Sequence, residues 1–133
     1  MRAVQLLTLS VGWELTHVRD MHEARTPDET WMPRFAAEGG HAFLSADRKM
    51  LGRPHQIAAI AESGLIAIFL SSKWAEAKRH EQAANIIWWW PRIESTIASA
   101  RPKQCFRVPI HFGAGTLEEI RVDYVKSASK RTR

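Results

Sequence analysis

The sequence predicts an α/β fold built on a mostly parallel sheet, and three observations carry that prediction. The run Leu65-Ile66-Ala67-Ile68-Phe69-Leu70 is apolar at every position, the pattern of a strand covered on both faces in a parallel sheet. A second apolar run, 41–45, leads directly into Ala46-Asp47-Arg48-Lys49, so a strand of ordinary length delivers charge to a sheet edge. Segments with helical spacing alternate with these runs, which indicates helices layered on a sheet.

In chain order, residues 2–11 read as an amphipathic helix with Val4, Leu7 and Val11 on one face and Gly12 at its end. Residues 14–19 read as a short strand, followed by a polar loop over 20–25. Thr26-Pro27-Asp28-Glu29 matches a capping box, with Thr at the N-cap, Pro at N1 and Glu at N3. Trp31 and Phe35 share the inner face of the helix it announces, Gly39-Gly40 ends it, and Pro33 predicts a kink or an early stop. After the strand at 41–45, a helix from Pro54 to Glu62 carries Ile57, Ile60 and Ala61. The buried strand at 65–70 follows, then a helical region over 73–100 broken at Pro91. Residues 104–110 alternate as a last central strand, Gly113-Ala114-Gly115 makes a turn, and 117–125 form an edge strand or hairpin.

Composition narrows the function classes. At 133 residues the chain fits one domain, placed at 1–125, with a basic tail at 126–133. The net charge of +5 is concentrated in that tail: Lys126, Lys130, Arg131 and Arg133 supply four positive charges and leave +1 for the rest. Such a tail is either a solvated, disordered end or an electrostatic lure for nucleic acid. One cysteine, Cys105, excludes an internal disulfide and suits a reducing, cytoplasmic setting. No apolar run reaches the roughly 18 residues that would span a bilayer.

Asp20, Asp28 and Asp47 are the candidate chemical constellation. In a parallel sheet, successive strand ends emerge on one side, so these carboxylates can converge. Carboxylates that gather without Arg partners attract a hard cation, and Mg²⁺ or Mn²⁺ is the natural occupant. Lys49 and Arg48 would then contact phosphate oxygens. Each residue also has a plain structural explanation. An acidic side chain at a helix N-terminus is favourable by about 0.3–1 kcal/mol with no metal, which accounts for Asp28. Asp47-Arg48-Lys49 reads equally as a surface turn, and Asp20 as a loop residue. The six histidines show no zinc spacing, Gly113-Ala114-Gly115 lacks the Lys-Ser/Thr of a phosphate loop, and Ser45 has no nucleophile-elbow context.

The stretch from Leu15 to Asp20, then Asp28-x-x-Trp31, then Gly39-Gly40 before Ser45-x-Asp47, resembles the PIN-like domains of VapC-type toxins and related predicted ribonucleases. Trp90-Pro91-x-Ile93 and Phe106-x-Val108 are similar to the C-terminal half of that pattern. The resemblance implies a three-layer α/β/α sandwich and a metal-dependent endoribonuclease site, with Asp28 and Asp47 catalytic; Lys49 beside them is read as the catalytic group that positions phosphate. It implies Mg²⁺ or Mn²⁺ on Asp28, Asp47 and Asp20, an RNA substrate, and a cognate antitoxin as partner. The family's first acidic residue closes an N-terminal strand, whereas this chain opens on a helix. That strand is therefore absent, supplied by another chain, or lost through a late start codon. The alternative function is a catalytically impaired PIN-like protein acting as a binding or assembly module.

Trp88-Trp89-Trp90 spreads over about 200° of a helix circumference, so the three side chains cannot share one core. One explanation buries two and leaves one at the surface. Another makes an exposed aromatic patch that supports a homodimer, and a third stacks bases.

Overall fold

Apolar strand residues flanked by helices on both sides give this chain a sheet with two buried faces. The computed structural model describes residues 12–16, 26–47, 49–71, 73 and 77–125. Its elements are α1 (Asp28–Ala37), β1 (Ala42–Ser45), a 3₁₀ turn (Met50–Gly52), α2 (Pro54–Ser63), β2 (Ile66–Leu70), α3 (Arg79–Ser99), β3 (Cys105–Val108) and β4 (Glu118–Ile120). The sheet order is β1-β2-β3-β4. β1, β2 and β3 run parallel, and β4 returns antiparallel on the edge.

Alternation along the strands sorts the core into two layers. Ile66, Ile68, Leu70 and Val108 point to one face, where Ile86, Trp89, Trp90 and Ile93 of α3 cover them. Phe43, Ala67, Phe69 and Cys105 point to the other, covered by Met32 of α1 and Ala59 and Ile60 of α2. All five residues of β2 are buried, as the unbroken apolar run predicts. The fold is therefore the expected α/β/α sandwich.

Local chemistry sets the boundaries. α1 closes in a Schellman arrangement: the Gly40 amide donates to the Phe35 carbonyl at 2.8 Å and the Gly39 amide to that of Ala36 at 3.1 Å. Gly39 takes φ +98°, and a Cβ on Gly40 would run into the Phe35 ring. Both glycines are needed for the chain to turn into β1.

Three expectations are corrected. Pro27, not Thr26, is the N-cap residue of α1, with no side-chain cap bond, so the capping box is not formed and Asp28 becomes the first helical residue. α3 runs unbroken through Pro91. The carbonyl that Pro91 leaves without an amide belongs to Ile87, and both residues lie on the exposed side of the helix, while buried Trp89, Trp90 and Ile93 hold it down. Residues 14–16, expected to open a strand, are irregular, although Leu15 packs against the α3 core. The helix at 2–11, the remainder of the strand at 14–19 and the tail at 126–133 lie outside the described residues.

The tryptophan triplet acts chiefly on the connection between β3 and β4. Trp89 is fully buried and donates from its indole to the His111 carbonyl at 3.0 Å; Trp90 is 6% exposed. Trp88 is 50% exposed, yet donates to the Gly113 carbonyl at 3.3 Å and meets Phe112 edge-on. Arg92 stacks over the Trp89 ring and donates to Gly113 and Gly115. Asn85 adds a bond to the Pro109 carbonyl. The α3 helix thus pins alternate carbonyls of 109–115, which fixes where β4 begins.

Candidate active site

The carboxyl ends of parallel strands carry the loops of this fold, and β1 delivers Asp47 there, two residues past its end. The Asp47 amide donates to Ser45 Oγ at 3.0 Å, and Asp47 Oδ1 accepts the Lys49 amide at 3.0 Å, which closes a tight turn. Asp47 Oδ2 accepts from Arg53 at 2.9 Å in an ion pair about half exposed to solvent. Arg53 caps the start of α2, one turn from Gln56, and the same guanidinium nitrogen donates to Gln56 Oε1 at 2.9 Å.

Gln56 turns its amide nitrogen the other way and donates to Asp28 Oδ2. The remaining oxygen, Asp28 Oδ1, accepts from the Trp31 indole at 2.8 Å. The result is a continuous chain of side chains: Trp31, Asp28, Gln56, Arg53, Asp47. Topology explains why it closes. α1 ends where β1 begins and α2 begins after β1 ends, so the N-termini of both helices lie at the carboxyl edge of the sheet. Packing α1 on α2 then brings Asp28 to the first turn of α2.

The structure thus brings together Asp28 and Asp47, two of the expected site residues, through a bridge of Arg53 and Gln56. Lys49 lies beside them, exposed. Asp20 and Arg48 lie outside the described residues. Among the described residues, no three His, Cys, Asp or Glu side chains gather closely enough to hold a metal ion. The expectation of carboxylates without Arg partners fails at Asp47, because Arg53 neutralises it. Arg53 and Gln56 are the residues sequence reasoning missed. Their one visible signal is the i, i+3 spacing of an Arg and a Gln at the start of a helix that follows an acidic turn.

The model of the PIN-like domain family matches residues 1–72, more than half of the chain. The chain belongs to that family. The matched segment includes α1, β1, the acidic turn, α2 and β2, and therefore both carboxylates of the bridge. No curated protein and no solved structure matches the chain. The PIN-like domain is a nuclease-type fold, and PIN domains generally use divalent metals. Asp28 and Asp47 carry the hard carboxylate oxygens that such an ion takes, and each of those oxygens already accepts a hydrogen bond. Gln56 offers a further hard oxygen, and the Arg53 guanidinium already stands against Asp47 as a cation in the same neighbourhood. No helix among the described residues is long and apolar enough to cross a membrane.

Proposed function

We propose that this PIN-like protein is a metal-dependent endoribonuclease of the toxin type, acting on RNA in the cytoplasm and held in check by a cognate antitoxin. The observation that carries this reading is the Asp28–Gln56–Arg53–Asp47 bridge, which ties two carboxylates to one another at the carboxyl edge of a parallel sheet. Asp28 and Asp47 hold Mg²⁺ or Mn²⁺, with Asp20 as a further carboxylate. The bound ion supplies a lowered pKa for water and positive charge for the phosphodiester. Trp31 and Gln56 fix the orientation of the Asp28 carboxylate. The Lys49 amide fixes that of Asp47, and the Lys49 ammonium orients the phosphate. Arg53 holds Asp47 Oδ2, the oxygen for which a bound cation would compete.

One observation favours a second reading, a catalytically silent binding module: Asp28 and Asp47 already have protein partners on both oxygens. Manganese titration followed by RNA cleavage separates the two. The Asp47→Asn chain is expected to lose at least about 100-fold in cleavage rate, the scale on which metal sites respond to disturbed ligation. Its folding stability is expected to change by less than about 1 kcal/mol, since the lost ion pair is half exposed. Equal residual cleavage by both chains would favour the silent module.

A further inference from the structure

A cleft of about 680 Å³ opens at the carboxyl ends of the strands, on the face covered by α1 and α2. It is lined by Lys49, Leu51, Phe69, Ser71, Arg107 and Glu118, among others. Its volume lies in the range of small-molecule sites. Register explains the charge inside it. Ser45, Phe69, Arg107 and Glu118 are paired in succession across β1, β2, β3 and β4, so they form one row on one face. Arg107 therefore shares the face of Cys105 and Phe69, both core residues. The Arg107 side chain is half exposed at this inward register position and lines the cleft.

Two more features point to an anionic ligand. Ser71 is 7% exposed, and its hydroxyl is buried with no hydrogen-bond partner among the described residues. Buried hydroxyls are ordinarily paired, and this unpaired one belongs to a residue that lines the cleft. Lys49 forms no ion pair among the described residues. Arg107 meets Glu118 at 4.0 Å, beyond hydrogen-bond distance, so its donors remain available. Two cations and one carboxylate leave the lining net positive, over a floor of Leu51, Phe69 and Ile120.

We propose that this cleft seats one nucleotide unit of a nucleic-acid strand. Arg107 and Lys49 bracket its phosphate, the Ser71 hydroxyl donates to it, and the apolar floor receives the adjoining sugar and base. Glu118 competes with the phosphate for Arg107 and so limits affinity. The site rests on the nuclease reading and deepens it by naming a strand contact beside the carboxylates, with Lys49 common to both, and it needs no metal to be tested.

The test titrates the full chain, in chelator and low salt, with a short fluorescent oligouridylate, and separately with inorganic phosphate. Arg107→Ala is expected to weaken oligonucleotide binding about tenfold and to reduce its logarithmic salt dependence by about one, the signature of a lost phosphate contact. Ser71→Ala is expected to weaken it about threefold, and Glu118→Gln to tighten it by about the same factor. Affinities within twofold of the parent for Arg107→Ala and Glu118→Gln would overturn the site. Weakening by Glu118→Gln would also overturn it, since the pair would then be structural. Free phosphate binding as tightly as the oligonucleotide would overturn the strand assignment. Should Arg107→Ala fail to fold, Ser71→Ala and Glu118→Gln decide. Binding in chelator without any metal-dependent cleavage would sink the nuclease reading and leave this site standing; cleavage with unaltered binding in all three variants would do the reverse.

Discussion

The two faces of the sheet are covered in different ways, and the difference separates stability from chemistry. One helix of 21 residues, α3, seals the first face with two tryptophans and two isoleucines, and no titratable side chain is fully buried there among the described residues. Two helices of ten residues each cover the second face only in part. What they leave open is the polar bridge from Asp28 to Asp47 and the basic cleft beside it. A face sealed by one long element has no room for a ligand, whereas two short helices meeting at their N-termini create an edge where charges can gather.

The largest effect that tests this division is expected at Trp89. Its side chain is fully buried and its indole holds the His111 carbonyl, so Trp89→Ala should cost about 3–5 kcal/mol in chemical denaturation. A loss under about 1 kcal/mol would show that the α3 face is not the stabilising one.

Arg53 tests the other face. Arg53→Gln removes the positive charge against Asp47 while keeping a side chain able to reach Gln56. Manganese affinity measured by calorimetry should tighten about tenfold, because one unit charge at contact range in a solvated site is worth about 1 kcal/mol or more. Unfolding free energy should move by less than about 1 kcal/mol, since the ion pair is half exposed. Unchanged manganese affinity would mean that Arg53 does not stand in for a cation.

How far each face was legible in the sequence follows the same division. The unbroken apolar run of β2 and the glycine pair after α1 are local signals, and the elements they announce formed where expected. Helix ends were less legible, because Thr26 and Pro91 carry strong local rules that tertiary packing overrode. The pairing of Asp28 with Asp47 runs through Gln56, 28 residues from Asp28, and no spacing rule reaches that far. Arg107 was hidden in plain alternation: only the register of β3 against β2 and β4 reveals that it points toward a cleft rather than away from the sheet.

Trp88 carries a smaller effect. The triplet suggests a dimer contact, and half-exposed Trp88 is the member that can make one, since it lies with Phe112 and Ile87 at the surface while Trp89 is buried. Trp88→Ala should cost about 1 kcal/mol through its bond to Gly113. If this patch joins two copies of the chain, the variant should also sediment at half the parent's mass. An unchanged mass would leave Trp88 as a clamp on the 109–115 connection and nothing more.

The smallest effect is a pH response that only the α1/α2 face can give. Burial pushes the Cys105 thiol above its ordinary 9.0, an effect that the bond to Tyr124 only partly offsets. Burial also pushes the Tyr124 hydroxyl above its ordinary 10.0, with the neighbouring Cys105 adding to the rise. Both groups are neutral when protonated, so the folded chain keeps its protons to higher pH than the unfolded one. The unfolded state then binds fewer protons above about pH 9, and unfolding free energy must fall as pH rises. Stability from this pair is complete below about pH 9 and is lost progressively above it. A chain carrying Cys105→Ala and Tyr124→Phe should show a shallower alkaline decline than the parent, each measured against its own neutral value. Identical slopes would place the alkaline response elsewhere, and with it the claim that titratable burial is confined to the face that also holds the acidic bridge.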